Sequence, residues 1–354
     1  MRSYEVKVLK NNILDQDFLE ISKSLDSELK SLINSKILIT GGNGFIGSYL
    51  TRYFNYINIK FDLNLEITVI SRSKNNEKLA DLKNIKIIYH DIRKPLLFDG
   101  ESFDYIFHLA SKASPKNYQK NKMDTIESNF LGMKNLLEYS KTGLNKKIIY
   151  FSSAEVYGDI ISSEEPIQEN KFFGSDPLSP RAAYSESKRI SETLLNTYAE
   201  DYEINFNIIR PFHTFGPFID LKDGRVFSDF TNSIINENKI YINSDGFAKR
   251  SFCYISDAIV GYILITLNGL NNEAYNVGNP KNFISINDLA SLLQQKFTER
   301  NIKVIKNNEK VEPNIEESKV LSVYPEIDKL LKLNWEPTID TYEAFRRTID
   351  FFQS

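Results

Sequence analysis

Lys36-Ile37-Leu38-Ile39-Thr40-Gly41-Gly42-Asn43-Gly44-Phe45-Ile46-Gly47 joins a β-branched apolar run to a helical pattern through glycines spaced G-x-x-G-x-x-G. The glycines differ in what they permit. Gly41 permits a tight turn, Gly44 lets the backbone approach a pyrophosphate, and Gly47 allows the helix to pack closely. The helix that opens at Phe45 and Ile46 offers unbonded N–H groups and the positive end of its dipole to an anion. An ordinary strand-to-helix turn is the alternative, but the strand before and the helix after favour a dinucleotide site.

Working outward, short β-branched runs alternate with longer amphipathic stretches, the pattern of βαβ units around a parallel sheet. Strands are predicted at Lys36–Thr40, Glu66–Ile70, Lys86–Tyr89, Tyr105–His108, Lys147–Phe151 and Asn205–Ile209, and helices at Phe45–Phe54, Thr125–Ser140 and Ala182–Tyr202. The fold class is therefore α/β: a Rossmann doubly wound parallel sheet over residues 36–210 with a smaller C-terminal α/β substrate domain over 211–354, some chain crossing between the two. Gly216-Pro217 marks the change of rhythm, and Ala274–Val277 and Lys303–Ile305 read as shorter strands beyond it. Residues 1–35 carry Phe18, Ile21, Leu25, Leu29 and Leu32 at helical spacing, an added helical extension.

The bulk properties narrow the class. A chain of 354 residues with 41% apolar residues can bury a large core. A net charge of −3 and a pI near 5.8 supply no basic field for nucleic acid. Cys253 is the only cysteine, so no intrachain disulfide and no cysteine metal site are expected, and no metal is assigned. Neither a signal peptide nor a membrane span is legible, which points to the cytoplasm.

An acid that binds the adenosine ribose belongs about 20 residues past the glycines. The second strand instead ends Ile70-Ser71-Arg72-Ser73-Lys74. A carboxylate would repel a 2′-phosphate, whereas Ser71 and Arg72 can bond and neutralise one, so NADP(H) is favoured over NAD(H). A solvated Arg-Lys loop is the alternative.

Tyr184 and Lys188 stand four apart on a predicted helix and so share a face. There the Lys188 ammonium, together with an oxidised nicotinamide, is expected to lower the Tyr184 pKa, so that Tyr184 takes a proton from a sugar hydroxyl as hydride leaves, or returns one to a carbonyl. The fifth strand runs into Ser152-Ser153-Ala154-Glu155-Val156-Tyr157-Gly158 at the carboxyl edge of the sheet. Ser153 can bond the reacting oxygen there. Glu155 can act as acid or base on a neighbouring carbon, hold a sugar hydroxyl, or simply be solvated.

Together the glycine loop, Ser153, Tyr184 and Lys188 resemble the extended short-chain dehydrogenase/reductase family of nucleotide-sugar enzymes over roughly residues 36–350. Within it His108-Leu-Ala-Ser111-Lys-Ala-Ser114-Pro115-Lys-Asn-Tyr118, Pro180-Arg181-Ala-Ala-Tyr184 and Asp223-Gly224-Arg225-Val226 look most like UDP-glucuronate decarboxylases. The resemblance implies a UDP- or CDP-linked sugar lying across the two domains, touched by Ser114, Tyr118, Glu155, His213, Arg225, Val226 and Arg250. Arg250 is similar to the family's diphosphate-binding arginine, a role that suits its fork of donors. The resemblance extends the cofactor contacts to Asp91, Ile92, Leu109, Ala110, Ser111 and Pro211. It also implies a homodimer through helices near 125–140 and 182–202, and a place in surface-polysaccharide synthesis.

The chain departs from the decarboxylase pattern at Ser71, where relatives carry an acid, at Ala154 for a hydroxyl residue, at Lys112 for a proline, and at His213 for an asparagine. Lys112 and Ala154 are expected near the sugar. These departures turn the expectation toward NADPH-dependent reduction of a keto sugar with Tyr184 as the acid. UDP-glucuronate decarboxylation follows, then epimerase or 4,6-dehydratase chemistry, and last a non-catalytic dinucleotide sensor.

Overall fold

The computed structural model describes residues 12–75, 77–96, 98, 101–141, 145–159, 165–306 and 322–354. Six strands follow the expected order: β1 (Lys36–Thr40), β2 (Glu66–Ser71), β3 (Ile85–Tyr89), β4 (Tyr105–His108), β5 (Lys147–Phe151) and β6 (Phe206–Pro211). Smaller pairings follow, of β7 (Thr214–Phe215) with β10 (Cys253–Tyr254) and of β8 (Lys239–Ile242) with β13 (Lys303–Lys306). A three-stranded sheet sets β9 (Lys249–Ser251) between β12 (Phe283–Ser285) and β14 (Ser322–Val323). The strand expected in the smaller domain, β11 (Glu273–Val277), instead pairs in parallel with β6 and completes the main sheet in the order β11-β6-β5-β4-β1-β2-β3. Its buried Tyr275, Asn276 and Val277 fit an interior surface, which the sequence run alone could not assign to one sheet or the other.

Parallel strands covered on both faces need apolar residues at every position. Accordingly Ile37, Leu38 and Ile39 of β1 are each 0% exposed. The covering helices are α1 (Asn12–Ser24), α2 (Phe45–Phe61), α3 (Pro115–Lys120), α4 (Lys122–Ser140), α5 (Ala182–Tyr202), α6 (Val226–Glu237), α7 (Ile255–Asn268), α8 (Ile286–Lys296), α9 (Asp328–Leu331) and α10 (Thr341–Gln353). Helices α4 and α5 pack on each other, and Leu136, Leu137 and Leu195 are spent on that interior. None of the three is available to a partner copy.

The chain order reverses between β1 and β4, so a crevice opens beyond their carboxyl ends, where ligands of such sheets bind. The leading extension is part of the body: α1 lies against α2, α7 and α10. Its Asp17, fully buried, accepts hydrogen bonds from Tyr49 at 2.9 Å, Tyr254 at 2.7 Å and Arg347 at 2.8 Å, tying α2, β10 and α10 together. Burial lifts this carboxyl to about 6, against the pull of those three donors.

Candidate active site

At the crevice the β1–α2 loop turns through Gly41, whose φ of +72° is left-handed, and a Cβ there would lie 2.8 Å from the Ala110 backbone. A Cβ on Gly47 would meet the Gly41 carbonyl oxygen at 2.3 Å, so both glycines are sterically required. A cavity of about 230 Å³ gathers Gly41, Gly44, Ser71, Arg72, Asp91, Ile92, Ala110 and Ser111 from the expected contact set. Phe45, Ile46 and Gly47 continue the same loop, Leu109 follows β4, and Pro211 ends β6. Asn43, Ser128 and Lys112 also line the cavity, and sequence reasoning does not assign them to it. Lys112 is a correction: expected beside the sugar, it stands at the cofactor end because its side chain turns to Asp124 at the start of α4. Ser111 Oγ and Asn43 Oδ1 are buried without a hydrogen-bond partner among the described residues. The N-terminus of α2, the required glycines and these polar atoms fit a dinucleotide.

The catalytic candidates converge at the end of β5. Ser153 Oγ accepts from the Glu155 amide at 3.1 Å, capping the short turn Ala154–Tyr157. Ser153 also bonds Tyr184, which is 5% exposed on the first turns of α5. The Tyr184 ring stacks on Tyr118 with centroids 4.9 Å apart and planes 6° apart. Tyr118 donates to Glu155 Oε1 at 3.3 Å, and the same oxygen accepts from Arg181 at 2.8 Å. Sequence reasoning gives Arg181 no role. Its place three residues before Tyr184, at the mouth of α5, is the available signal.

Lys188 donates to the Phe151 carbonyl at 2.6 Å, with its ammonium 5.9 Å from the Tyr184 ring centroid. Burial pulls Lys188 down to about 7, against Glu192. The expected lowering of Tyr184 invokes an oxidised nicotinamide as well as Lys188, and the surroundings that the chain itself supplies act the other way. Burial first, then the Glu155 charge, pushes the phenol up to about 12, while Ser153, Arg225 and Arg181 oppose the rise. A low-dielectric pocket penalises tyrosinate more than these neighbours stabilise it.

The remaining candidates form the facing wall. Ser114 donates to the Asp223 carbonyl at 3.2 Å, and Arg225 reaches the Ala113 carbonyl, so the segment after β4 is laced to the loop before α6, which Val226 opens. His213 has an unusual φ of +32° and a buried Nδ1 without a partner among the described residues. Burial, then Arg250 and Arg225, hold its imidazole neutral. Arg250 on β9 donates to the Lys249 carbonyl at 2.8 Å, and burial followed by Arg181 lowers its pKa. Arg181, Arg225 and Arg250 together give the wall a cationic character suited to phosphate. Among the described residues, no group of three His, Cys, Asp or Glu side chains could hold a metal, and no helix is long and apolar enough to cross a membrane.

A doubly wound sheet with a glycine loop at its switch point and Ser153, Tyr184 and Lys188 at the adjoining strand end defines a nucleotide-sugar enzyme of the extended short-chain dehydrogenase/reductase class. The chain belongs to the NAD dependent epimerase/dehydratase family, whose family model matches residues 37–278. It is 32% identical over 329 residues to UDP-glucuronic acid decarboxylase 1 of Xenopus tropicalis, covering 90% of this chain and 72% of that one. Against UDP-glucuronic acid decarboxylase 3 of Arabidopsis thaliana identity is 32% over 317 residues, covering 88% of this chain and 87% of the relative. Among solved structures, a UDP-N-acetylglucosamine 4-epimerase from Methanobrevibacter ruminantium M1 aligns with a TM-score of 0.75 at 26% identity, over 91% of this chain and 99% of the other. The protein is thus an enzyme of the decarboxylase, epimerase and dehydratase group, acting on nucleotide sugars with a nicotinamide dinucleotide.

Proposed function

We propose that this enzyme oxidises the C4 hydroxyl of a UDP-linked hexuronate, releases the carboxyl group as carbon dioxide, and re-reduces the ketone within one turnover. The observation that carries it is the ring stack of Tyr184 on Tyr118 beside the Glu155–Arg181 pair, in a chain about a third identical to UDP-glucuronic acid decarboxylases over nearly its whole length. A glucuronate loses its carboxyl group readily only when a ketone stands β to it, and on this ring that position is C4. When bound, the nicotinamide supplies a reversible hydride acceptor.

Tyr184, oriented by Ser153, takes the hydroxyl proton as the C–H pair leaves C4, and returns a proton to that oxygen at the end. Between those steps the C5–carboxyl bond breaks and its electron pair is held at the C4 oxygen, where the Tyr184 and Ser153 hydroxyls donate. A proton then adds at C5, and Glu155, bonded to Tyr118 next to Tyr184, is the chain's own group for relaying it. Arg250 and Arg225 bind the diphosphate by charge-assisted hydrogen bonds.

A second reading, NADPH-dependent reduction of a nucleotide-linked keto sugar, is favoured by Ser71 and Arg72 in the cofactor cavity where a carboxylate would stand. It uses Tyr184 as the proton donor and Ser153 as before. Either enzyme would serve in the cytoplasm in surface-polysaccharide synthesis. A homodimer face on α4 and α5 would draw on Met123, Ile126 and Ile190, all exposed.

Incubating the purified enzyme with UDP-glucuronate, with and without added NADPH, tests the two. Carbon dioxide and a UDP-pentose without consumption of reduced cofactor support decarboxylation. No turnover of UDP-glucuronate, with stoichiometric NADPH oxidation on a 4-keto sugar nucleotide, replaces it with the second reading.

A further inference from the structure

Arg72, just after β2, and Lys112, just after β4, are far apart in sequence and meet in space. Both line the cofactor cavity, and both pair with one carboxylate, Asp124 at the start of α4: Arg72 at 3.0 Å and Lys112 in closer contact. A third cation, Arg93, also reaches Asp124, at 2.8 Å. Arg93 is additionally bound to Asp91 at 2.6 Å and to Glu127 at 3.0 Å, which fixes it in place. Arg72 and Lys112 form no second ion pair of this kind among the described residues, and the Arg72 side chain is 49% exposed.

We propose that Arg72 and Lys112 form a two-cation seat for the adenosine 2′-phosphate of NADP(H), with Asp124 as the positioning residue that holds both at the cavity until the phosphate arrives. The inference rests on the reading of this cavity as the dinucleotide site and deepens it by assigning Lys112 and Asp124 to the seat. Three cations and the three carboxylates Asp91, Asp124 and Glu127 balance one another, so a dianionic phosphate needs two donors that can turn without stranding a charge. Arg72 and Lys112 can do so because Arg93 stays behind to neutralise Asp124. The Arg72 guanidinium offers a planar fork and the Lys112 ammonium a point charge, a pairing that grips a phosphate from two sides.

Competitive binding of adenosine 2′,5′-bisphosphate and adenosine 5′-monophosphate to the full chain tests the seat without any sugar nucleotide or turnover. The bisphosphate is expected to bind the wild type more tightly. Lys112→Gln and Arg72→Gln each reduce that preference on the order of tenfold to a hundredfold, the worth of a charge-assisted hydrogen bond, by weakening the bisphosphate more than the 5′-monophosphate. Asp124→Asn releases both cations and increases the preference, a gain that a damaged fold would not give. Equal affinity of the wild type for the two nucleotides overturns the proposal, as does an Asp124→Asn variant whose preference falls. Because no sugar chemistry enters, these outcomes stand apart from success or failure of the decarboxylation reading.

Discussion

Tyr184 is the residue on which the chemistry turns, and its surroundings set the direction in which pH acts. With the phenol pushed up to about 12 by burial and by Glu155, it is neutral at pH 7 and ready to donate. Taking a proton from a hydroxyl requires tyrosinate, whose population grows with pH up to that value. The oxidative half-reaction, followed as reduced nicotinamide formed in a single turnover, is therefore expected to accelerate from about pH 6 to pH 9, while the reductive half-reaction does not. An oxidative rate flat across that range would contradict the assignment of Tyr184 as base. Tyr184→Phe is expected to lower turnover by about a hundred- to ten-thousandfold, the usual contribution of a positioned acid–base group, with dinucleotide affinity retained in a fluorescence titration. The i, i+4 spacing of Tyr184 and Lys188 is legible in the sequence. The stacking on Tyr118 and the Arg181–Glu155 pair are not, since they depend on how α3, α5 and the turn after β5 meet.

At the level of elements, the β1–α2 loop is the most exactingly built part of the cofactor site. Gly47→Ala would set a methyl group 2.3 Å from the Gly41 carbonyl oxygen, a backbone atom that cannot swing aside as a side chain could. The loop must move, so the variant is expected to lose about 1–3 kcal/mol of stability in urea denaturation and to bind dinucleotide weakly. Unaltered stability and affinity would show that the loop has slack. This element is readable because its glycine spacing serves a local geometry. Strand β11 is visible as a strand but not as a member of the main sheet, because its partner β6 lies far back in the chain and no local pattern encodes the pairing. Lys112 is misplaced from sequence for the same reason. Its neighbours Ala113 and Ser114 are bonded to the loop before α6, but its side chain follows the charge of Asp124.

For the whole molecule, the leading helix is a clasp rather than an appendage. Phe18, Ile21, Leu25, Leu29 and Leu32, legible as an amphipathic stripe, are each buried, and Asp17 joins three elements distant in sequence. Asp17→Ala leaves the buried Tyr49 and Tyr254 hydroxyls without their acceptor and removes one of three carboxylates paired with Arg347, and is expected to cost about 2–5 kcal/mol, read as a shift in the urea midpoint. A change within about 0.5 kcal/mol, the size of an ordinary surface substitution, would show that Glu20 and Glu343 alone hold Arg347. The clasp joins α2, which opens at the glycine loop, to α10 near the end of the chain, and the active-site crevice is likewise built from both stretches of the chain. That shared site is where the central claim, an internal oxidation and re-reduction at one carbon, can be tested directly. UDP-glucuronate carrying deuterium at C4 should give a UDP-pentose that retains the label, because the hydride removed from C4 returns to it. A pentose without deuterium, or label found in nicotinamide released to solution, would contradict the cycle.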